Sequence, residues 1–261
     1  MSQISNRFAN LSAPEHSTGQ TFIGSLHNSQ EFFTPYRHWL LSNTLPDDVA
    51  PAITELPWPP PMIEDTHGTR EANNATRTHF SVERRARYRV CDLVAQAFQS
   101  REVTSALEQT CDVDLTGTSL RIEYCQDSEG FWLGPHTDIG VKKLTLQIYL
   151  SKDRGSQEWG TDLLDGQKNL VRRAPSIFNA GMMFIPGPNT WHAFAKRPIQ
   201  GVRKSILINY VGPMADLAFG FGAVGLAGFG HEAVVRRQVE EFGVVDDAAF
   251  VNLAQHVHAV I

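Results

Sequence analysis

Leu144-Thr145-Leu146-Gln147-Ile148-Tyr149-Leu150 sets a large aliphatic side chain at every second position, with Thr, Gln and Tyr between. Successive side chains of an extended chain point to opposite faces, so a period of two marks a strand with two unlike faces. Upstream, Leu120, Ile122 and Tyr124 alternate with Arg121 and Glu123; downstream, residues 182–185 and 205–210 are further strand candidates. Pro186-Gly187-Pro188-Asn189 and Gly201 punctuate them as turns. Short alternating strands with no helices between them, over about 115–212, predict an antiparallel sandwich or barrel. The fold class is therefore mainly β with flanking helices.

Outward from this core the pattern changes on both sides. The stretch 1–30 is polar and broken by Ser, Asn, Gly and Pro, and its very start is expected to be loose. A helical flank is expected over about 30–114. Its pieces are a short helix after Pro46-Asp47-Asp48, a rigid extended connector at Trp58-Pro59-Pro60-Pro61, and one helix over 83–109. In that last helix Val90, Leu93, Val94, Ala97 and Phe98 recur at helical spacing, with Arg84, Arg85, Arg87 and Arg89 as a solvated face. The C-terminal extension 213–261 is rich in Gly, Ala and Phe at first, and two modest helices are expected near 231–242 and 246–260. The reading is a single domain, 1–261.

Composition narrows the function classes. With 42% hydrophobic and 20% charged residues in 261, a sizeable core is available. A net charge of −5 supplies no general attraction to phosphate backbones, so nucleic acid is not the expected partner. Cys91, Cys111 and Cys125 are an odd set without a Cys-x-x-Cys pair, which suits reduced thiols rather than a disulfide framework or zinc site. No apolar run reaches membrane-spanning length and the N-terminus has no secretory pattern, so a cytoplasmic protein is expected.

The chemistry lies in Gly134-Pro135-His136-Thr137-Asp138, in Trp191-His192, and in Arg203-Lys204-Ser205. Two imidazoles and one carboxylate can hold one face of an Fe(II) ion and leave the opposite face open. His136 and Asp138 lie two apart on an extended segment and point to one side, while His192 would come from a neighbouring strand. A guanidinium and a hydroxyl two residues apart, as in Arg203 and Ser205, suit the distal carboxylate of a dicarboxylic acid. Singly, each feature has a bland reading: a chance tripeptide, a packed histidine, a surface salt bridge. The combination in order is what carries information, and most of the other histidines are expected to be structural or exposed.

Over roughly 118–212 the chain resembles the 2-oxoglutarate/Fe(II)-dependent dioxygenase superfamily. The resemblance runs through LRIEY (120–124), GPHTDIG (134–140), LTLQIYLS (144–151), WGTDLL (159–164), MMFIPGPNTWHAF (182–194) and GVRKSILINYV (201–211). It implies a double-stranded β-helix (jelly-roll, cupin-like) core. It also implies His136, Asp138 and His192 as catalytic iron ligands, and Arg203 with Ser205 on the 2-oxoglutarate C5 carboxylate. Tyr124 and Thr145 stand where such enzymes often place secondary co-substrate contacts, although both equally suit the core of their strands. A carboxylate at 138, where related halogenases have Gly or Ala, favours hydroxylation or its desaturation and cyclisation variants.

The resemblance thus implies an oxidoreductase using Fe(II), 2-oxoglutarate and O2, with succinate and CO2 as co-products. The expected substrate is a small polar metabolite, an amino acid or natural-product building block. In related enzymes an N-terminal segment covers the barrel mouth, which makes Arg70, Asn73, Asn74 and Arg77 candidate substrate contacts and Trp132 and Trp159 candidate pocket walls. The same residues also suit an exposed polar loop and ordinary aromatic packing. A protein or peptide hydroxylase on the same fold, or a non-catalytic metal-binding jelly-roll module, are the alternatives; a nucleic-acid demethylase is disfavoured by charge. Oligomeric state and the role of 214–261 are not legible.

Overall fold

The computed structural model describes residues 15–62, 68, 76–138 and 141–212. In chain order these form α1 (Glu15–His27), β1 (Gln30–Phe32), β2 (His38–Leu41), α2 (Val49–Thr54), β3 (Arg77–His79), α3 (Val82–Arg87), α4 (Arg89–Gln99) and α5 (Arg101–Cys111). Eight strands follow: β4 (Ser119–Asp127), β5 (Leu133–His136), β6 (Lys142–Tyr149), β7 (Asp162–Leu164), β8 (Leu170–Arg173), β9 (Gly181–Phe184), β10 (His192–Phe194) and β11 (Arg203–Val211). The helices expected in the C-terminal extension fall outside the described residues.

All strand pairings are antiparallel and build two sheets, one in the order β1-β2-β9-β6-β11-β4-β3 and one in the order β5-β10-β7-β8. From β4 onward the chain passes between the sheets in turn, with only β7 and β8 consecutive in one sheet. That winding is the double-stranded β-helix, and β1, β2 and β3 extend the edges of its larger sheet.

The two faces of the larger sheet differ as the alternation requires, but neither meets water. Leu144, Leu146 and Ile148 of β6, Ile206 and Ile208 of β11, and Leu120 and Ile122 of β4 pack beneath α1, α4 and α5 in one apolar cluster. Each such aliphatic side chain contributes about 1.5–3 kcal/mol by leaving water. The other face turns toward the smaller sheet, and there Thr145, Gln147 and Tyr149 are only 3%, 8% and 0% exposed. Polar side chains so deeply buried have to be hydrogen-bonded, which makes this face the place for a site.

The flank differs from expectation in three ways. Residues 15–27, for which no helix was expected, form α1, whose Phe22 and Leu26 enter the helix-covered core. The stretch after residue 30 contains strands β1 and β2 before the short helix α2. The single helix expected over 83–109 is three, because Tyr88 and Ser100 adopt extended backbone conformations between them. Ser100 explains its own break: its hydroxyl donates to Ala97 O at 2.7 Å and accepts from Val103 N at 3.3 Å, closing one helix and capping the next. The turn lets α4 and α5 each present an apolar stripe to the shared core. The connector at 58–61 is non-helical, as its prolines require, and Trp58 packs against Phe80, Tyr88 and Tyr124.

Candidate metal centre

β5 and β10 are neighbours in the smaller sheet, and their register sets His136 opposite His192. The two imidazole centroids lie 4.2 Å apart, and Phe184 from the larger sheet packs 5.1 Å from His192. Asp138 follows β5 by two residues. One ligand atom from each of His136, Asp138 and His192 lies within 4.8 Å of the others, the separation that three ligands of one ion need.

The protonation pattern suits metal binding. His136 Nδ1 is 2.9 Å from Gly134 O, and His192 Nδ1 is 2.9 Å from Thr190 O. A carbonyl only accepts, so each Nδ1 donates, and in the neutral ring that leaves the lone pair on Nε2. Asp138, with a side chain 2% exposed, accepts at Oδ1 from Lys142 Nζ at 2.8 Å and at Oδ2 from Thr145 Oγ1 at 2.8 Å. Two neutral imidazoles and one carboxylate are the donor set of a mononuclear ferrous site with open positions.

A cavity runs from this cluster between the sheets to Arg203, past Arg77, Asp127, Gln147, Thr161, Phe194 and Leu207. Arg203 is 5% exposed. Its Nε donates to Trp159 O at 2.7 Å, its Nη1 to Asp127 Oδ2 at 2.5 Å, and its guanidinium stands 4.4 Å over the Phe194 ring. A guanidinium has five N–H donors, so further donors remain for a ligand carboxylate. Ser205 lies on the same face as Arg203 and accepts from Gln147 Nε2 at 3.1 Å. Gln147 Oε1 accepts from Thr161 Oγ1 at 2.6 Å, which in turn accepts from Tyr149 OH at 3.0 Å.

Charged groups alternate along this inner face. Glu123 is bridged by Arg77 at 2.6 Å and Arg121 at 2.7 Å. Burial alone would raise its carboxyl, but the Arg77 and Arg121 guanidiniums outweigh burial and hold it well below the usual carboxylate range. Asp127 behaves oppositely, because burial pushes it up despite Arg203 and Arg77 beside it.

Several expectations of the sequence meet a different placement. Tyr124 points away from the cavity: it is in register with Ile206 and belongs to the helix-covered core. A one-residue step along a strand reverses the face, so Arg121, Glu123 and Asp127 turn inward and Tyr124 does not. Trp159 is no pocket wall. It is 2% exposed, packs with Phe131, Phe194 and Ile199, donates from its indole N–H to Pro198 O at 3.1 Å, and offers its backbone carbonyl to Arg203. Thr145 lines the cavity, with its hydroxyl on Asp138. Trp132 sits beside the cavity-lining Phe131 and Leu133 and packs over Gly68, whose φ of +63° and lack of a Cβ admit the indole ring. Arg77 does line the cavity, while Arg70, Asn73 and Asn74 lie outside the described residues.

Asp127, Lys142, Gln147 and Thr161 were not singled out from the sequence. Asp127 meets Arg203 through the register of β4 against β11, which the two strand patterns alone do not fix.

The fold has a counterpart among solved structures at low sequence identity. A prolyl 4-hydroxylase from Phytophthora capsici superposes with a TM-score of 0.52 at 13% identity, covering 82% of this chain and 75% of that one. A prolyl-4-hydroxylase from Pseudomonas putida gives a TM-score of 0.49 at 12% identity, covering 75% of this chain and 98% of that one. A protein of the 2OG-Fe(II) oxygenase family from Burkholderia pseudomallei gives 0.38 at 10% identity, covering 47% of this chain and 56% of that one. No protein-family model matches the sequence, and no curated protein matches it.

Proposed function

We propose that the protein is an Fe(II)- and 2-oxoglutarate-dependent oxygenase that hydroxylates an unactivated C–H bond of a small polar metabolite, an amino acid or natural-product building block. The observation that carries this reading is the convergence of His136, Asp138 and His192 within 4.8 Å at one end of a cavity that has the buried Arg203 at its other end. When bound, Fe(II) and 2-oxoglutarate supply the oxidising power: O2 is consumed, 2-oxoglutarate leaves as succinate and CO2, and one oxygen atom enters the substrate.

The chain's own residues then have defined tasks. His136 and His192 present Nε2 to the metal, each oriented by its Nδ1 hydrogen bond to a backbone carbonyl. Asp138 completes one face of the coordination sphere. Arg203 holds the distal carboxylate of 2-oxoglutarate, backed by Asp127 and the Phe194 ring, with Ser205 and Gln147 beside it. Phe184 and Phe194 exclude water from the reacting centre. Arg77, together with Arg70, Asn73 and Asn74 of the preceding segment, is assigned to the substrate.

A peptide-hydroxylase reading keeps the same metal and co-substrate residues, and the fold shared with a prolyl 4-hydroxylase is the observation in its favour. One screen separates the two. Succinate release is measured with Fe(II) and 2-oxoglutarate against free amino acids, related polar metabolites and proline-containing peptides. A free metabolite is expected to stimulate release by about tenfold or more over the uncoupled background, with loss of that release in His136→Ala. Turnover that survives His136→Ala would sink the proposal, and stimulation by peptides alone would transfer it to the second reading.

A further inference from the structure

We infer that Lys142 makes Asp138 a one-oxygen ligand and thereby keeps a coordination position open for the co-substrate. The inference rests on the proposed ferrous site and concerns a residue that this reading leaves without a task.

A carboxylate beside a divalent ion has two options. It binds through one oxygen, or chelates through both and takes a second coordination position. With two histidines present, a chelating Asp138 would leave too few positions for a bidentate 2-keto acid and O2 on a six-coordinate ion. The two oxygens of Asp138 are not equivalent. Oδ1 faces the ammonium of Lys142 at 2.8 Å, and both side chains are only 2% exposed. In that buried ion pair the ammonium stands directly at Oδ1, and its repulsion of a second cation at the same oxygen is little screened.

Oδ2 is bonded instead to Thr145 Oγ1 at 2.8 Å, and that hydroxyl has an alternative acceptor in Asn209 Oδ1 at 3.1 Å. A threonine has one proton to donate. It can rotate toward Asn209 and give up Oδ2, whereas Lys142 holds Oδ1 in a buried ion pair. Oδ2 is therefore the oxygen left for the metal.

The test compares the full-length wild type with Lys142→Met and Lys142→Arg, each loaded anaerobically with Fe(II) and titrated with 2-oxoglutarate. The readout is the visible charge-transfer band that a chelating 2-keto acid gives on Fe(II); Co(II)-loaded samples report coordination through their ligand-field absorption. Wild type and Lys142→Arg are expected to bind 2-oxoglutarate alike. Lys142→Met is expected to take up Fe(II) but to bind 2-oxoglutarate about 10–100-fold more weakly, with an altered Co(II) spectrum. Wild-type affinity and an unchanged Co(II) spectrum in Lys142→Met would overturn the inference. If that variant does not fold, Lys142→Gln, which keeps a hydrogen bond without the charge, answers the same question. Failure of the wild type to take up Fe(II) would instead overturn the oxygenase reading itself.

Discussion

Arg203 has two duties, which one substitution can separate. It neutralises Asp127 inside the protein at 2.5 Å, and in the proposed function it receives the distal carboxylate of 2-oxoglutarate. Arg203→Met leaves a buried carboxylate with its principal partner gone, which costs about 3–5 kcal/mol. It also removes charge-assisted hydrogen bonds worth about 1.5–3 kcal/mol to the ligand, roughly a 10–100-fold loss of affinity. Adding Asp127→Asn to Arg203→Met is expected to restore much of the stability and none of the affinity. Urea unfolding and anaerobic 2-oxoglutarate titration of the single and double variants check the two halves independently. Equal recovery of both would mean that Arg203 acts on the ligand only through Asp127.

At the scale of elements, the smaller strands are held less by their own pattern than by particular side chains between them. Asn179, just before β9, has a φ of +65° and is 5% exposed. Its Oδ1 accepts from Thr44 Oγ1 and from Leu45 N, both at 2.9 Å, and its Nδ2 donates to Leu45 O at 2.7 Å. The loop between β2 and α2 is thereby fastened to the larger sheet. Asn179→Ala is expected to cost about 2–4 kcal/mol, because it strands buried backbone groups of Leu45 and forces a Cβ without a compensating hydrogen bond into the left-handed region. Asn179→Gly should be milder, and equal midpoints for the two variants in chemical denaturation would remove the backbone part of this account. Gly160 marks a different constraint: a Cβ there would lie 1.7 Å from Ala174 O, so β7 and β8 approach one another only over a glycine.

Across the whole molecule, a buried and a half-buried histidine couple the fold to pH. Burial lowers the pKa of His38 against the opposing hydrogen bond to the Tyr36 carbonyl, and burial likewise lowers that of His79. In the unfolded chain both titrate near the ordinary value of about 6.5. Below that value the unfolded state binds protons that the folded state resists, so stability rises with pH through this window. The contribution of the two histidines is thus present above about pH 6.5 and is lost as pH falls through their lowered folded values. Glu123 has the same sign, but its loss comes only at much lower pH. The metal-free protein is expected to have a lower Tm at pH 5.5 than at 7.5, with a shallower difference in the double variant His38→Gln, His79→Gln. An undiminished difference would assign the acid sensitivity elsewhere.

The period of two in 120–124, 144–150 and 205–210, and the ordered His-x-Asp, His and Arg-x-Ser, are local properties, so strand type, fold class and the residues of the metal cluster were legible without coordinates. The inward face was not. Alternation in β6 says only that two faces differ, and both are buried here: the aliphatic one under helices, the polar one around the cavity. Strand register then decided that Tyr124 turns away while Asp127 meets Arg203, and chain reversal brought Trp159 beneath Arg203 rather than to the mouth. The short strands β5, β7, β8 and β10 have three or four residues each, too few for a periodic signal, and exist by pairing with partners distant in sequence. Side-chain type is written residue by residue. Which group meets which across a sandwich is set only when the sheets close, and with it the setting of Asp138 between Lys142 and Thr145.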